Sequence, residues 1–212
     1  MTRRTVFLDL DGTLLDSRLR LHVLFSKLVP GSALTFESYW RLKYEGLKHR
    51  QILASSGWTS AEIESFEQVW HDEIENDALL ELDSPIPGVE AALSRLREHF
   101  LLVVLTSRQR EDGVWMQLGR LGWQDLFDEV WVTGPARTKL ELLRRAGDGG
   151  PLRGWMVGDT GHDIETGRTC GLATVAVLSG FMTEAALRGY APDHLIRDVT
   201  LLPSLLIEHG RT

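Results

Sequence analysis

The sequence predicts an α/β fold built on a parallel sheet, and three observations carry that reading. Short apolar runs recur along the chain, they are nearly continuous rather than alternating, and helical patterns separate them. Continuous runs suit strands buried on both faces, as in a parallel sheet covered by helices. Regular alternation of strand and helix is the pattern of an α/β domain.

Taken in order, the strand segments are residues 5–8, 101–105, 130–132, 155–157 and 173–177, with a short sixth at 194–196. Helices are expected over 89–100, where Val89, Ala92, Leu93 and Leu96 share a face, over 138–146 with Leu140, Leu142 and Leu143, and over 199–209 at the close. Residues 17–85 break the rhythm. The stretch is far longer than a βα connection and reads as helical, so an inserted helical subdomain is expected there, with residues 1–16 and 86–212 forming the main domain. A two-stranded insert fits less well. Its clearest helix starts at Thr59, where Thr59 and Glu62 make a capping-box pattern and Ile63, Phe66, Val69, Trp70 and Ile74 mark one apolar face. Pro85, Pro87 and Gly88 punctuate the return.

Composition narrows the class. The chain has 212 residues, a formal net charge of −7, 43% hydrophobic and 25% charged residues, which suits an ordinary globular protein and neither a disordered nor a fibrous one. An acidic total argues against a general nucleic-acid binder. One cysteine, Cys170, leaves no intrachain disulfide, so a reducing compartment is expected. With neither an apolar signal segment nor a run of the roughly 20 apolar residues a membrane helix needs, the expectation is a cytoplasmic protein that engages no membrane. The charge is uneven: residues 59–85 hold nine acidic and no basic groups, read as an outward helix and its flank, whereas residues 17–58 hold seven basic and two acidic ones.

The chemistry lies at strand ends. The first strand runs into Asp9-Leu10-Asp11-Gly12-Thr13, delivering two carboxylates two residues apart to the edge where α/β sheets bind ligands. A later strand ends in Gly158-Asp159, and Asp163 follows on the first turn of the next helix. Neighbouring parallel strands would bring all four acids together. Close carboxylates repel and call for a cation or a shared proton, and hard oxygen ligands favour magnesium.

These motifs resemble the haloacid dehalogenase superfamily in its phosphatase branch, which has a Rossmann-like core and a helical cap inserted after the first motif. Asp9 to Thr13 fits its DxDGT motif, Gly158-Asp159 with Asp163 its GDxxxD motif, Thr106 its second motif, and Lys139 its third, with Arg137 as a substitute. Asp11 separates the chain from the dehalogenases, so carbon–halogen cleavage is disfavoured. The resemblance implies an Mg²⁺-dependent phosphatase of a small anionic phosphorylated metabolite: a phosphoglycolate, sugar phosphate or nucleotide. In this reading Asp9 is the nucleophile, Asp11 the acid and base, and Mg²⁺ is held by Asp9, the Asp11 carbonyl, Asp159 and Asp163. Gly12, Thr106, Ser107 and Lys139 hold the phosphoryl group.

In the insert, Lys48, His49 and Arg50 follow Gly46 and are candidate substrate contacts; Trp40 and Trp58 are the tryptophans to test for stacking, while Trp70 reads as core. A phosphoglucomutase-like isomerase is the nearest enzymatic alternative. A receiver-like phospho-aspartate module is the alternative from another class, although a receiver lacks so large an insert. A monomer or homodimer is expected.

Overall fold

The computed structural model describes residues 3–147 and 152–208. In chain order the elements are β1 (Thr5–Leu8), β2 (Leu15–Asp16), α1 (Arg18–Leu28), α2 (Phe36–Tyr44), α3 (His49–Ser55), α4 (Ser60–Glu73), α5 (Asp77–Leu80) and β3 (Ser84–Pro85). Then follow α6 (Val89–Arg97), β4 (Leu101–Thr106), α7 (Glu111–Arg120), β5 (Glu129–Val132), α8 (Lys139–Gly147), β6 (Gly154–Gly158), α9 (Gly161–Thr169), β7 (Ala173–Val177), α10 (Glu184–Gly189) and β8 (His194–Ile196). Six strands form one parallel sheet in the order β5-β4-β1-β6-β7-β8.

The nearly continuous apolar runs now have their explanation. Successive strand residues point to opposite faces. Val6, Leu8, Leu102, Val104 and Val157 join one buried cluster with α6 and α7, while Phe7, Val103, Leu105 and Met156 join another with Leu143 of α8. Both faces are covered, so the central positions of these strands are apolar and the polar residues Thr5 and Thr106 fall at strand ends.

Strand order also fixes where a ligand can sit. From β1 the chain moves to β4 and outward to β5, then returns to place β6 on the other side of β1. The crevice at that reversal lies at the C-terminal ends of β1 and β6, which is where open α/β sheets bind ligands.

Helices α1 to α5 lie between β2 and β3, and those two short strands pair antiparallel, Leu15 with Pro85 and Asp16 with Ser84. This ribbon at the base of the insert was not expected. Phe25, Val29, Tyr39, Trp40, Ile52, Leu53, Ile63 and Phe66 form a separate apolar cluster within the helices. The capping box at Thr59 is present, its hydroxyl accepting from the Glu62 amide at 3.3 Å and its amide donating to the Glu62 carboxylate at 2.8 Å. Of the expected apolar face, Ile63 and Phe66 are buried and Trp70 and Ile74 half-buried, whereas Val69 is exposed. The acidic run is also not wholly outward, because Glu75 and Asp83 are buried. The closing segment is helical but irregular, a 3₁₀ turn at Val199–Leu201 and a π turn at Ser204–Glu208, and its expected end at 209 lies outside the described residues. Among the described residues no helix is long and apolar enough to cross a membrane.

Candidate active site

Two halves meet at the C-terminal edge of the sheet. In the first, Asp9 follows β1, Asp159 follows β6, and Asp163 sits in the first turn of α9, where its carboxylate accepts from the Thr160 amide at 3.1 Å and hydroxyl at 2.6 Å. Asp163 is therefore both a helix cap and a member of the acidic cluster. Carboxylate oxygens of Asp9, Asp159 and Asp163 all lie within 4.8 Å of one another, and all three residues are buried. One cation faces them. Thr138 caps α8, which sets Lys139 at its first position, and the Lys139 ammonium lies 2.6 Å from Asp9 and 2.7 Å from Asp163.

The charges of this half do not balance. Burial, with the Asp163 and Asp11 charges added and Lys139 opposing, pushes the Asp9 carboxyl up to about 7. Burial likewise raises Asp159 well above the usual carboxylate range, with Asp9 and Asp163 repelling it. Burial favours a neutral Lys139, but Asp163 and Asp9 outweigh it and hold the ammonium charged. Three buried carboxylates against one ammonium make a donor set that fits a divalent cation such as Mg²⁺. Glycine is required around it: Gly12 has φ +82°, and a Cβ there would run into the Asp159 carboxylate.

In the second half the Asp11 carboxylate turns away from that cluster. It accepts from Arg108 Nε at 2.8 Å, from Arg108 Nη2 at 2.8 Å, from Ser17 at 2.5 Å and from Arg20. Asp83 completes the square, accepting from Arg20 Nε at 2.9 Å and Arg108 Nη2 at 3.0 Å, and Gln117 bonds to both Arg108 and Asp83. Burial alone would raise the Asp11 pKa, but Arg108 and Arg20 outweigh it and hold the carboxyl well below the usual range. Arg20 and Asp83 come from either end of the insert and Arg108 and Gln117 from the main sheet's flank. The network ties the two together.

The remaining candidates are placed as follows. Thr106 and Ser107, at the end of β4, line the cavity in front of Asp9. Gly12 shapes its turn and gives its N–H to the Leu15 carbonyl at 2.7 Å, so that amide is not aimed into the cavity. Lys139 is buried against Asp9 and Asp163, while Arg137 is exposed. Lys48, His49 and Arg50 do not line the cavity. His49 packs among Phe25, Tyr39, Phe66 and Trp70 and bonds to the Tyr39 hydroxyl at 2.7 Å, and Arg50 pairs with Glu67 on the outer face. Burial pushes the His49 imidazole down to about 3, with Lys43 adding to the effect. Trp40 is buried and donates to the Arg18 carbonyl, Trp58 packs on the helical cluster, and it is Trp70 that borders the cavity.

Sequence reasoning passed over Arg20, Glu75, Asp83, Arg108 and Gln117. A signal existed for two of them. Arg20 lies four residues before Leu24 on the buried face of α1, and Gln117 lies three after Val114 on that of α7, so both are polar residues in phase with an apolar stripe.

The motifs, the fold and the strand-edge cluster define a hydrolase of one large class. The chain matches the family described as haloacid dehalogenase-like hydrolase over residues 6–177 and belongs to it. Among curated relatives it is 26% identical to pyrophosphatase PpaX of Oceanobacillus iheyensis, covering 94% of each chain. It is 27% identical to phosphoglycolate phosphatase of Mesorhizobium japonicum, over 98% of this chain and 96% of that one. A haloacid dehalogenase-like family hydrolase of Streptococcus pneumoniae shares the fold with a TM-score of 0.78 at 20% identity, covering 99% of both chains.

Proposed function

We propose that the protein is a Mg²⁺-dependent phosphatase that hydrolyses a small phosphorylated metabolite through a phosphorylated Asp9. The observation that carries the reading is the buried cluster of Asp9, Asp159 and Asp163 with one lysine, at the sheet edge where the family's motifs fall. The names of its relatives, phosphoglycolate phosphatase and pyrophosphatase, support the same reaction class.

Phosphate esters resist attack because their oxygens are negative, so a carboxylate nucleophile works only where charge is offset. A divalent cation held by Asp9, Asp159 and Asp163 would lower the repulsion among them and between Asp9 and the phosphoryl group. Lys139 does the same from the opposite side, 2.6 Å from Asp9. Asp9 attacks phosphorus, the ester oxygen leaves, and water then releases phosphate from Asp9, which splits one difficult step into two easier ones. Thr106 and Ser107 border the space for the phosphoryl oxygens. Asp11, protonated from solvent once it is free of its guanidinium partners, gives that proton to the leaving oxygen and later takes one from water. To do so its carboxylate has to part from Arg20 and Arg108, so proton transfer is coupled to a rearrangement of the joint between insert and main domain.

The test is release of phosphate from 4-nitrophenyl phosphate by purified protein, with and without Mg²⁺. Release that depends on Mg²⁺ is expected, and none under either condition refutes the assignment.

A further inference from the structure

Resting on the phosphatase reading, we propose that the ester taken by this site carries an uncharged leaving group with a flat apolar face, an aromatic alcohol, rather than a second anionic group. Four half-buried apolar side chains line the cavity that holds Asp9: Leu21 from α1, Trp70 from α4, Ile74 just after it, and Phe181 after β7. They form the wall where a leaving group must lie, and an apolar ligand face would remove them from water.

Two members of that wall are held in place beforehand. The Trp70 ring lies 4.2 Å from His49 and 5.6 Å from Phe66, centroid to centroid. Phe181 stacks on Trp40 at 5.5 Å and gives its amide to Asp159 at 2.8 Å, so its position is fixed by the acidic cluster itself. Rigid aromatic walls lose little freedom when a ring packs on them.

At rest the strong cations of the same cavity already have partners, and the one further basic group in its lining is the exposed His162. Its arginines and lysine are all committed: Arg20 to Asp11, Asp83 and the Ile74 carbonyl, Arg108 to Asp11, Asp83 and Gln117, and Lys139 to Asp9 and Asp163. Glu75 adds a negative group to the lining, its oxygens taken by the Gln109 and Arg110 amides at 2.7 and 3.0 Å. The basic residues that follow Gly46 are elsewhere. A carboxylate or second phosphate on the leaving group would thus have to compete with Asp83 and Asp11 for the two arginines or turn outward to His162, whereas an apolar face packs on the wall at no such cost. The cavity volume of about 280 Å³ suits a phosphoryl group and one ring rather than the end of a polymer.

The experiment compares kcat/KM for benzyl phosphate, 2-phosphoglycolate and pyrophosphate in saturating Mg²⁺. Benzyl phosphate is expected to lead both anionic substrates by about tenfold or more, the scale on which pocket contacts discriminate. Equal values, or a lead for either anion, overturn the proposal while leaving the phosphatase reading intact. No turnover of these three or of 4-nitrophenyl phosphate overturns both. Trp70→Ala should lower kcat/KM for benzyl phosphate about tenfold, through KM, and lower it for methyl phosphate by much less; equal losses for the two would mark Trp70 as merely structural and overturn the proposal. Ile74→Lys, which leaves the aromatic wall in place and adds a cation to it, should narrow the gap between benzyl phosphate and phosphoglycolate, and an unchanged ratio counts against it.

Discussion

The two halves of the site hold nearly the same kinds of residue and have opposite charge economies. Around Asp9, three buried carboxylates face one ammonium; around Asp11, two carboxylates face two guanidinium groups in a closed square. Asp9 and Asp11 are two residues apart, yet one carboxyl is pushed up to about 7 and the other held far below the usual range. The difference teaches that partner count, not residue type, decides which half is ready for chemistry. The unbalanced half has room for a divalent cation and a phosphoryl group. The balanced half is a joint at rest, and it has to open before Asp11 can move a proton.

Breaking each half should therefore have different consequences. The largest effect is expected from Asp9→Asn, which removes the proposed nucleophile and should cut turnover by about 10⁴-fold with little change in thermal midpoint, as read by phosphate release and calorimetry. Arg108→Gln attacks the balanced half. It leaves Asp11 and Asp83 short of a buried partner and should cost about 3–5 kcal/mol of unfolding free energy in chemical denaturation; adding Asp83→Asn should recover part of that loss. Full stability in Arg108→Gln would deny the joint.

Metal dependence separates the halves more finely. At about a hundredfold excess over its dissociation constant, Mg²⁺ should add about 2.7 kcal/mol to the folded state, or about 5–10 °C in Tm for a chain of this size. Asp159→Asn should abolish that shift and Arg108→Gln should keep it. The reverse pattern would place the metal in the wrong half.

A smaller effect belongs to His49, whose imidazole is buried in the insert and depressed to about 3 from an unfolded value of about 6.5. With the folded value the lower, the unfolded chain takes up the proton first as pH falls. Its contribution is complete above about pH 6.5 and is lost between there and about 3, amounting to about 1 kcal/mol by pH 5.5. Asp9, raised to about 7, titrates over the same interval in both chains, so the loss is read as a difference: from pH 7.5 to 5.5 the native chain should lose about 1 kcal/mol relative to His49→Gln in chemical denaturation, and equal changes would contradict it. The smallest effect is expected from Arg50→Ala, whose pairing with Glu67 is on the surface and screened by solvent, so the thermal midpoint should not shift measurably.

The same contrast explains what was legible in the sequence. Asp9, Asp159 and Thr106 were readable because each ends an apolar strand, and parallel pairing of β1 with β6 forces their ends together. Asp163 was readable from its place four residues after Asp159 on a first helical turn, whereas Lys139 was reached only through the resemblance, with Arg137 as a substitute. Arg108 and Asp83 carry no such signature: one sits in a loop beyond β4 and the other in an acidic run, and only the fold of the insert brings them to Asp11. Charge runs misled twice. Glu75 and Asp83 are buried where solvent was expected, and the basic group of Lys48 to Arg50 lies away from the cavity. Trp70, assigned to the core by its helical phase, is at once core and cavity wall, because α4 ends at the mouth of the site and a stripe pattern does not say where the stripe stops being covered.

The nucleophile is the claim on which the contrast between the halves rests, and it has a direct measurement. The Mg²⁺-loaded protein would be mixed with 4-nitrophenyl phosphate, quenched in acid, digested and mapped by mass spectrometry. A phosphoryl group on Asp9, enriched in Asp11→Asn and absent from Asp9→Asn, is the expected result. Release of phosphate at an undiminished rate by Asp9→Asn, with no phosphorylated carboxylate at any point in the time course, would contradict it.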